Sequence, residues 1–283
     1  MKSLAEFGPR RVESRQNARI KELRAGLSRG ARTEQNHIAI EGLHLLQEAL
    51  KSGLKVHTVL VRAGSEGLLE QLPFHDTPEV LIVAEPVFLS AAATEHPQGI
   101  AALVDPPEFK VDALFEGFRS SSEPTAPLVV IAGGLQDPGN LGTLVRSAEA
   151  FGATGMILLP GTVSLWNAKT LRASSGSAFR LPVVSLAAED AFDALKRRGV
   201  RLFAAVARDG AGPADLRGPS ALLLGNEGAG LPEAWIAKTH ARVTIPCPGA
   251  VESLNAAVAG SVLLYEAMRQ RLAVPAQEQA VPA

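Results

Sequence analysis

Hydrophobic positions recur along the chain in two periods. Residues 128–131 form an unbroken apolar run that suits a strand buried on both faces, and beyond a polar turn Leu141, Leu144, Val145, Ala148 and Phe151 repeat at helical spacing. Gly152 is placed to cap that helix, while Asn140 and Arg146 lie near its start and off the apolar face. Downstream, "GMILLP", "LPVVSL", "VRLFAAVA", "ALLLG" and "RVTIP" read as strands separated by helical stretches. This alternation predicts a mostly parallel sheet with helices on both faces. The first hundred or so residues repeat the theme on a smaller scale: helices over 17–27 and 43–51, strands over 37–40, 56–61 and 80–83, short helical candidates such as "SEGLLEQL", and a closing apolar segment, "GIAALV".

Two proline-bearing breaks, "DPP" at 105–107 and "SSSEPTAP" at 120–127, divide the pattern. They imply an α/β domain over 1–105, a linker over 106–126 in which "FKVDALFEGF" is a connecting helix, a second α/β domain over 127–273 and a disordered tail over 274–283. A chain of 283 residues is long for a single core, which agrees with two domains.

Composition adds little except through its distribution. With 46% hydrophobic and 20% charged residues the chain reads as an ordinary globular protein, and no apolar run approaches the roughly 18 residues of a membrane span. The lone Cys247 fits a reducing, cytoplasmic setting, and the spacing of the six histidines gives no reason to expect a metal site. A net charge of -1 argues at first against nucleic acid, yet residues 1–32 carry nine Lys or Arg, among them Arg15, Arg19, Lys21 and Arg32, against three Glu. Lys169, Arg172 and Arg180 make a second basic group. A solvated helix face would account for the same charges.

Candidate chemistry collects in the loops that follow strands: "GGLQDPGN" (133–140), "GNEGAGLP" (225–232) and "IPCPGAVESLN" (245–255). None is a GxxxxGK[ST] phosphate loop or a GxGxxG dinucleotide loop, which counts against a nucleotide-dependent oxidoreductase. Ser253 can cap the last helix, whose small residues at 256–260 imply a close helix contact, within the chain or with a second subunit.

In this order and at these sheet positions, the three loops resemble the three motifs of the SpoU (TrmH-like) RNA ribose methyltransferases. The resemblance extends to "QNARIKELRAGLSRGARTEQNHIAIEGLHLLQEAL", similar to that family's ribosomal-protein-like substrate-binding domain, and to "LRASSGSAFRLPV" between the first two motifs. It implies a trefoil-knotted methyltransferase domain that works as a homodimer. S-adenosylmethionine would bind against Leu224, Gly225, Asn226, Glu227, Gly228, Ile245, Pro246, Ser253 and Leu254. Arg146 would activate a ribose 2'-hydroxyl with Asn140, Ser253 and Asn255 in support, and Arg15, Arg19, Lys21, Arg32 and Arg172 would contact RNA. The implied substrate is large-subunit ribosomal RNA ahead of transfer RNA. A non-catalytic RNA-binding module on the same fold, and methylation of a base, remain the alternatives.

Overall fold

The structure is a computed structural model and describes residues 4–74, 76–116, 125–212 and 214–273. The expected tail over 274–283 and part of the expected linker lie outside the described residues. Two compact units are present: Met1–Glu108 with Ser164–Arg180, and Phe109–Val163 with Leu181–Ala283.

The first unit contains β1 (Arg10–Val12), α1 (Ala18–Arg29), β2 (Ile38–Glu41), α2 (Leu43–Lys51), β3 (Val56–Arg62), β4 (Glu79–Val83), α3 (Glu85–Leu89) and β5 (Ile100–Val104). Its sheet runs β1-β4-β3-β5-β2, with β1, β4 and β3 parallel and β5 antiparallel to both its neighbours. Asn17 caps α1 through its side chain, and Gly30, with φ of 60°, ends it in the left-handed conformation. Ile20, Leu23 and Leu27 of α1 enter the same core as Leu60, Leu81 and Phe88. β1 escapes periodicity because an edge strand of sequence RRV buries only Val12.

The second unit begins with a single 3-10 turn, Val111–Phe115, where the sequence suggested a connecting helix. Leu114 is fully buried in this turn, and Val111 and Phe115 pack partly buried against the same core. Next come β6 (Leu128–Gly133), α4 (Pro138–Ala150), β7 (Gly155–Leu158), α5 (Ala168–Ser174), β8 (Val183–Ser185), α6 (Ala188–Arg197), β9 (Arg201–Ala205), β10 (Ser220–Gly225), α7 (Glu233–Ile236), β11 (Ala241–Val243) and α8 (Ala256–Leu272). Of these, α5 belongs to the first unit, where Ala168 packs on the core and Asn167 lies against Gly30. The second basic group is thus in the same unit as the first.

The sheet of the second unit runs β11-β9-β10-β6-β7-β8, with every pair parallel. The run from Leu128 to Ala132 is wholly buried, as expected for a central strand covered on both faces. α7 is a single short turn, with Pro232 as its N-cap and β11 starting at Ala241. α8 packs on α4 and β10, and the approach is so close that a Cβ on Gly260 would fall 2.5 Å from Leu144 and 2.7 Å from Leu224. Its far end is fastened by Arg271, whose guanidinium donates to the carbonyls of Ala126, Pro127, Leu216 and Gly218. Burial pulls that guanidinium's pKa down to about 10, so it stays charged at neutral pH.

Candidate active site

The strand order fixes where a ligand can enter. From β6 the chain builds outward through β7 and β8, whereas β9 and β10 lie on the other side of β6, so the winding reverses between β6 and β10. A crevice opens at such a reversal, beyond the carboxyl ends of the strands. Those ends are aligned here, Gly225 being paired with Gly133. A Cβ on Gly225 would meet the backbone of Gly230 at 2.6 Å, so the 225–230 loop folds back tightly only on glycine.

Next to that reversal, on the β9 side of β10, lies a cleft of about 560 Å³ walled by the ends of β9 and β10, the loop after β10 and the segment entering α8. Leu224, Gly225, Asn226, Glu227, Gly228, Ile245, Ser253 and Leu254 all line it, whereas Pro246 is exposed and does not. Ala205–Ala207, Val243, Cys247, Ala259 and Leu263 complete the wall. The β9 contribution was open to inference, since a parallel neighbour of β10 ends at the same edge.

Along its rim runs a hydrogen-bonded chain whose polarity is set from both ends. Asn255, not Ser253, caps α8: its Oδ1 accepts from the N–H groups of Ala257 (2.9 Å) and Val258 (3.2 Å). Ser253 lies two residues too early for that role, and its side chain is exposed at the cleft. With Oδ1 occupied, Asn255 Nδ2 must donate, and it gives to Asn140 Oδ1 at 2.9 Å. Asn140 Nδ2 then donates to Glu227 Oε1 at 2.9 Å. A carboxylate can only accept, so neither amide can turn over without breaking the chain.

Glu227 also accepts from the N–H groups of Gln136 (3.2 Å) and Asp137 (3.4 Å) just ahead of α4. Burial alone would raise its pKa; hydrogen bonds from Asn140 and the backbone outweigh that, and the net shift is downward. A negative charge at a helix start is favourable in any case. Asp137 is the cap of α4, accepting from Asn140 N at 2.9 Å, with Pro138 in the first turn. An Asp-Pro pair ahead of an apolar helical repeat is a start signal that sequence alone could have supplied. Asn226 is used internally: its amide donates to Gly134 O and accepts from Gly228 and Ala229.

Arg146 stands apart from this chain. It lies in the third turn of α4 rather than at its start, about 120° around the helix from Asn140, and it is exposed and does not line the cleft. In the first unit Arg15, Lys21 and Arg172 are exposed. Arg19 is committed to Glu22 and Glu79, and Arg32 to Asn36 and Glu108 beside the Trp166 ring.

Residues 127–265 match the SpoU rRNA Methylase family, and residues 17–102 match an MRM3-like substrate binding domain. A Bacillus subtilis protein named 23S rRNA (guanosine(2553)-2'-O)-methyltransferase RlmP is 35% identical over 90% of this chain and 98% of its own length. The chain belongs to the SpoU methylase family. Another member, a 23S rRNA (uridine(2479)-2'-O)-methyltransferase of Streptomyces viridochromogenes, is 32% identical over 93% of both chains. Among solved SpoU structures, AviRb from the same organism, in complex with the cofactor AdoMet, superposes with a TM-score of 0.78 at 30% identity, covering 91% of this chain and 99% of its own.

Proposed function

We propose that the protein transfers a methyl group from S-adenosylmethionine to a ribose 2'-hydroxyl in large-subunit ribosomal RNA. The observation that carries this reading is the Glu227–Asn140–Asn255 chain on the rim of a cleft sized for a cofactor. The volume lies within the roughly 300–1,000 Å³ of small-molecule sites, and apolar walls with exposed loop backbone suit an adenosine. Leu224, Ile245 and Leu254 would hold that group, with loop residues Gly225–Gly228 along it. When bound, the cofactor supplies a sulfonium methyl group.

The chain's own residues orient the acceptor. In-line displacement rewards a fixed hydroxyl, and the two asparagines are fixed while each keeps an N–H to grip a ribose oxygen. Ser253 offers a rotatable hydroxyl beside them. Arg146 offers hydrogen-bond donors and no acceptor, so it positions rather than takes the proton. Its offset from Asn140 suits a contact with the RNA backbone: a phosphate that it holds accepts the proton of the 2'-hydroxyl. A site built around that hydroxyl selects RNA over DNA. Arg15, Lys21 and Arg172 supply backbone contacts.

The return of α8 onto α4 and β10 after β11 supports a trefoil knot. Val258, Val262 and Tyr265 are 48%, 41% and 50% exposed along one stripe of α8, which supports a homodimer through this helix. Among the described residues no helix is long and apolar enough to cross a membrane, and a ribosomal RNA substrate fits work in the cytoplasm. One relative is named for a guanosine and another for a uridine, so the base is not a property of the shared site.

The test is to incubate the protein with methyl-labelled cofactor and unmodified ribosomal or transfer RNA, then hydrolyse in alkali. Cleavage requires a free 2'-hydroxyl. Label in dinucleotides from the large-subunit fraction supports the reading, label in mononucleotides would mean base methylation, and label confined to transfer RNA would refute the assigned substrate.

A further inference from the structure

The fold of the first unit brings together three metal-ligating side chains that are scattered in sequence. Ile38 of β2 and Val56 at the start of β3 both pair with Val104 at the end of β5. His37 precedes β2, His57 lies on β3 and Asp105 follows β5, so all three meet at one end of three adjacent strands. One ligand atom from each lies within 4.8 Å of the others.

We propose that His37, His57 and Asp105 bind a divalent transition-metal cation of the zinc class. Two imidazoles and one carboxylate suit zinc, nickel or copper, whereas magnesium and calcium prefer all-oxygen shells. His57 Nε2 stands 2.8 Å from Asp105 Oδ1, near the about 3.3 Å edge of a tetrahedral site with ligand distances of ~2.0–2.1 Å. The two rings are 4.2 Å apart and tilted by 34°.

His37 is prepared for this role by its neighbours. Its Nδ1 donates to Glu22 Oε1 at 2.7 Å, which leaves the Nε2 lone pair for a cation. Glu22 is itself held by Thr33 (2.9 Å) and Arg19 (2.9 Å). A carboxylate behind a ligating histidine, fixing its tautomer and orientation, is the usual support of such sites. His37 is buried, while the His57 and Asp105 side chains are 28% and 46% exposed, which provides a route in and room for water as a fourth ligand. The three residues belong to the first unit, which contains the matched substrate-binding domain.

The experiment uses the full-length protein stripped with a chelator and titrated with zinc(II) or cobalt(II). One equivalent should bind, with the intense visible absorption of four-coordinate cobalt. His57→Asn and Asp105→Asn, checked for native circular dichroism, should each weaken binding by more than the roughly 10–100-fold that follows removal of a supporting partner. No binding, or binding unchanged in both variants, overturns the proposal. Nitrogen-15 spectra of the histidine rings in the unmodified protein decide the matter without substitutions: zinc should shift His37 Nε2 and a His57 ring nitrogen, and unmoved resonances would overturn it.

Discussion

Asn255 performs two separable tasks, and substituting it tests whether the rim chain matters for methyl transfer. Its Oδ1 caps α8, and its Nδ2 holds Asn140. Asn255→Ala removes both. Removing the cap should cost about 1 kcal/mol, a fall in Tm of about 2–4 °C for a domain of this size. Asn255→Asp keeps a good cap but replaces the donor with an acceptor facing Asn140 Oδ1. Asn140 can then turn over only by directing its carbonyl at Glu227, so the rim chain is broken on one side or the other. A hydrogen bond of about 0.5–1.5 kcal/mol disappears and a like charge is added, which should slow transfer by about 10-fold or more. The assay is single-turnover transfer of labelled methyl groups into ribosomal RNA, run beside thermal melts. The Asp variant should melt near wild type and react slowly. A rate within about twofold of wild type, or melting as low as the Ala variant, would refute the reasoning.

Arg146→Ala should abolish turnover while leaving cofactor affinity unchanged, as read by calorimetry and the labelling assay together. Glu227 has a depressed folded-state pKa, so its hold on Asn140 is complete above the unfolded carboxylate value and is lost as pH falls through the folded one; Glu227→Gln should remove that acid-side loss from the rate profile. Arg271→Ala leaves four carbonyls without their donor and should lower stability by about 2–3 kcal/mol in urea with little change in slope. Combining Lys21→Ala with Arg172→Ala should weaken RNA binding and reduce its salt slope by roughly 0.7–0.9 for each phosphate no longer neutralised, leaving cofactor binding intact.

The strands of the second sheet were legible because a central parallel strand is apolar on both faces, and α4 because its buried residues repeat at helical spacing. Its loops were legible as a set, since their order along a doubly wound sheet places them at one edge. Pairings between residues far apart in the chain were not legible. Either Ser253 or Asn255 is a competent cap, and the choice rests on where α8 begins to pack against α4. Arg19 looks available for RNA until folding brings Glu79 to it, sixty residues away. His37, His57 and Asp105 show no ligand spacing because strand pairing alone makes them neighbours. Removing residues 1–31 to erase the basic segment would also remove β1 and α1, so side-chain substitutions such as Lys21→Ala with Arg172→Ala are the sounder test.

The central claim is that the cleft between the ends of β9 and β10 and the start of α8 holds the methyl donor. Calorimetric titration of the whole protein with S-adenosylmethionine tests it most directly, comparing wild type with Leu254→Arg, which projects a long charged side chain into the cleft. One cofactor per chain for wild type and none for the variant is the expected result. Equal binding by both would place the cofactor elsewhere and contradict the account.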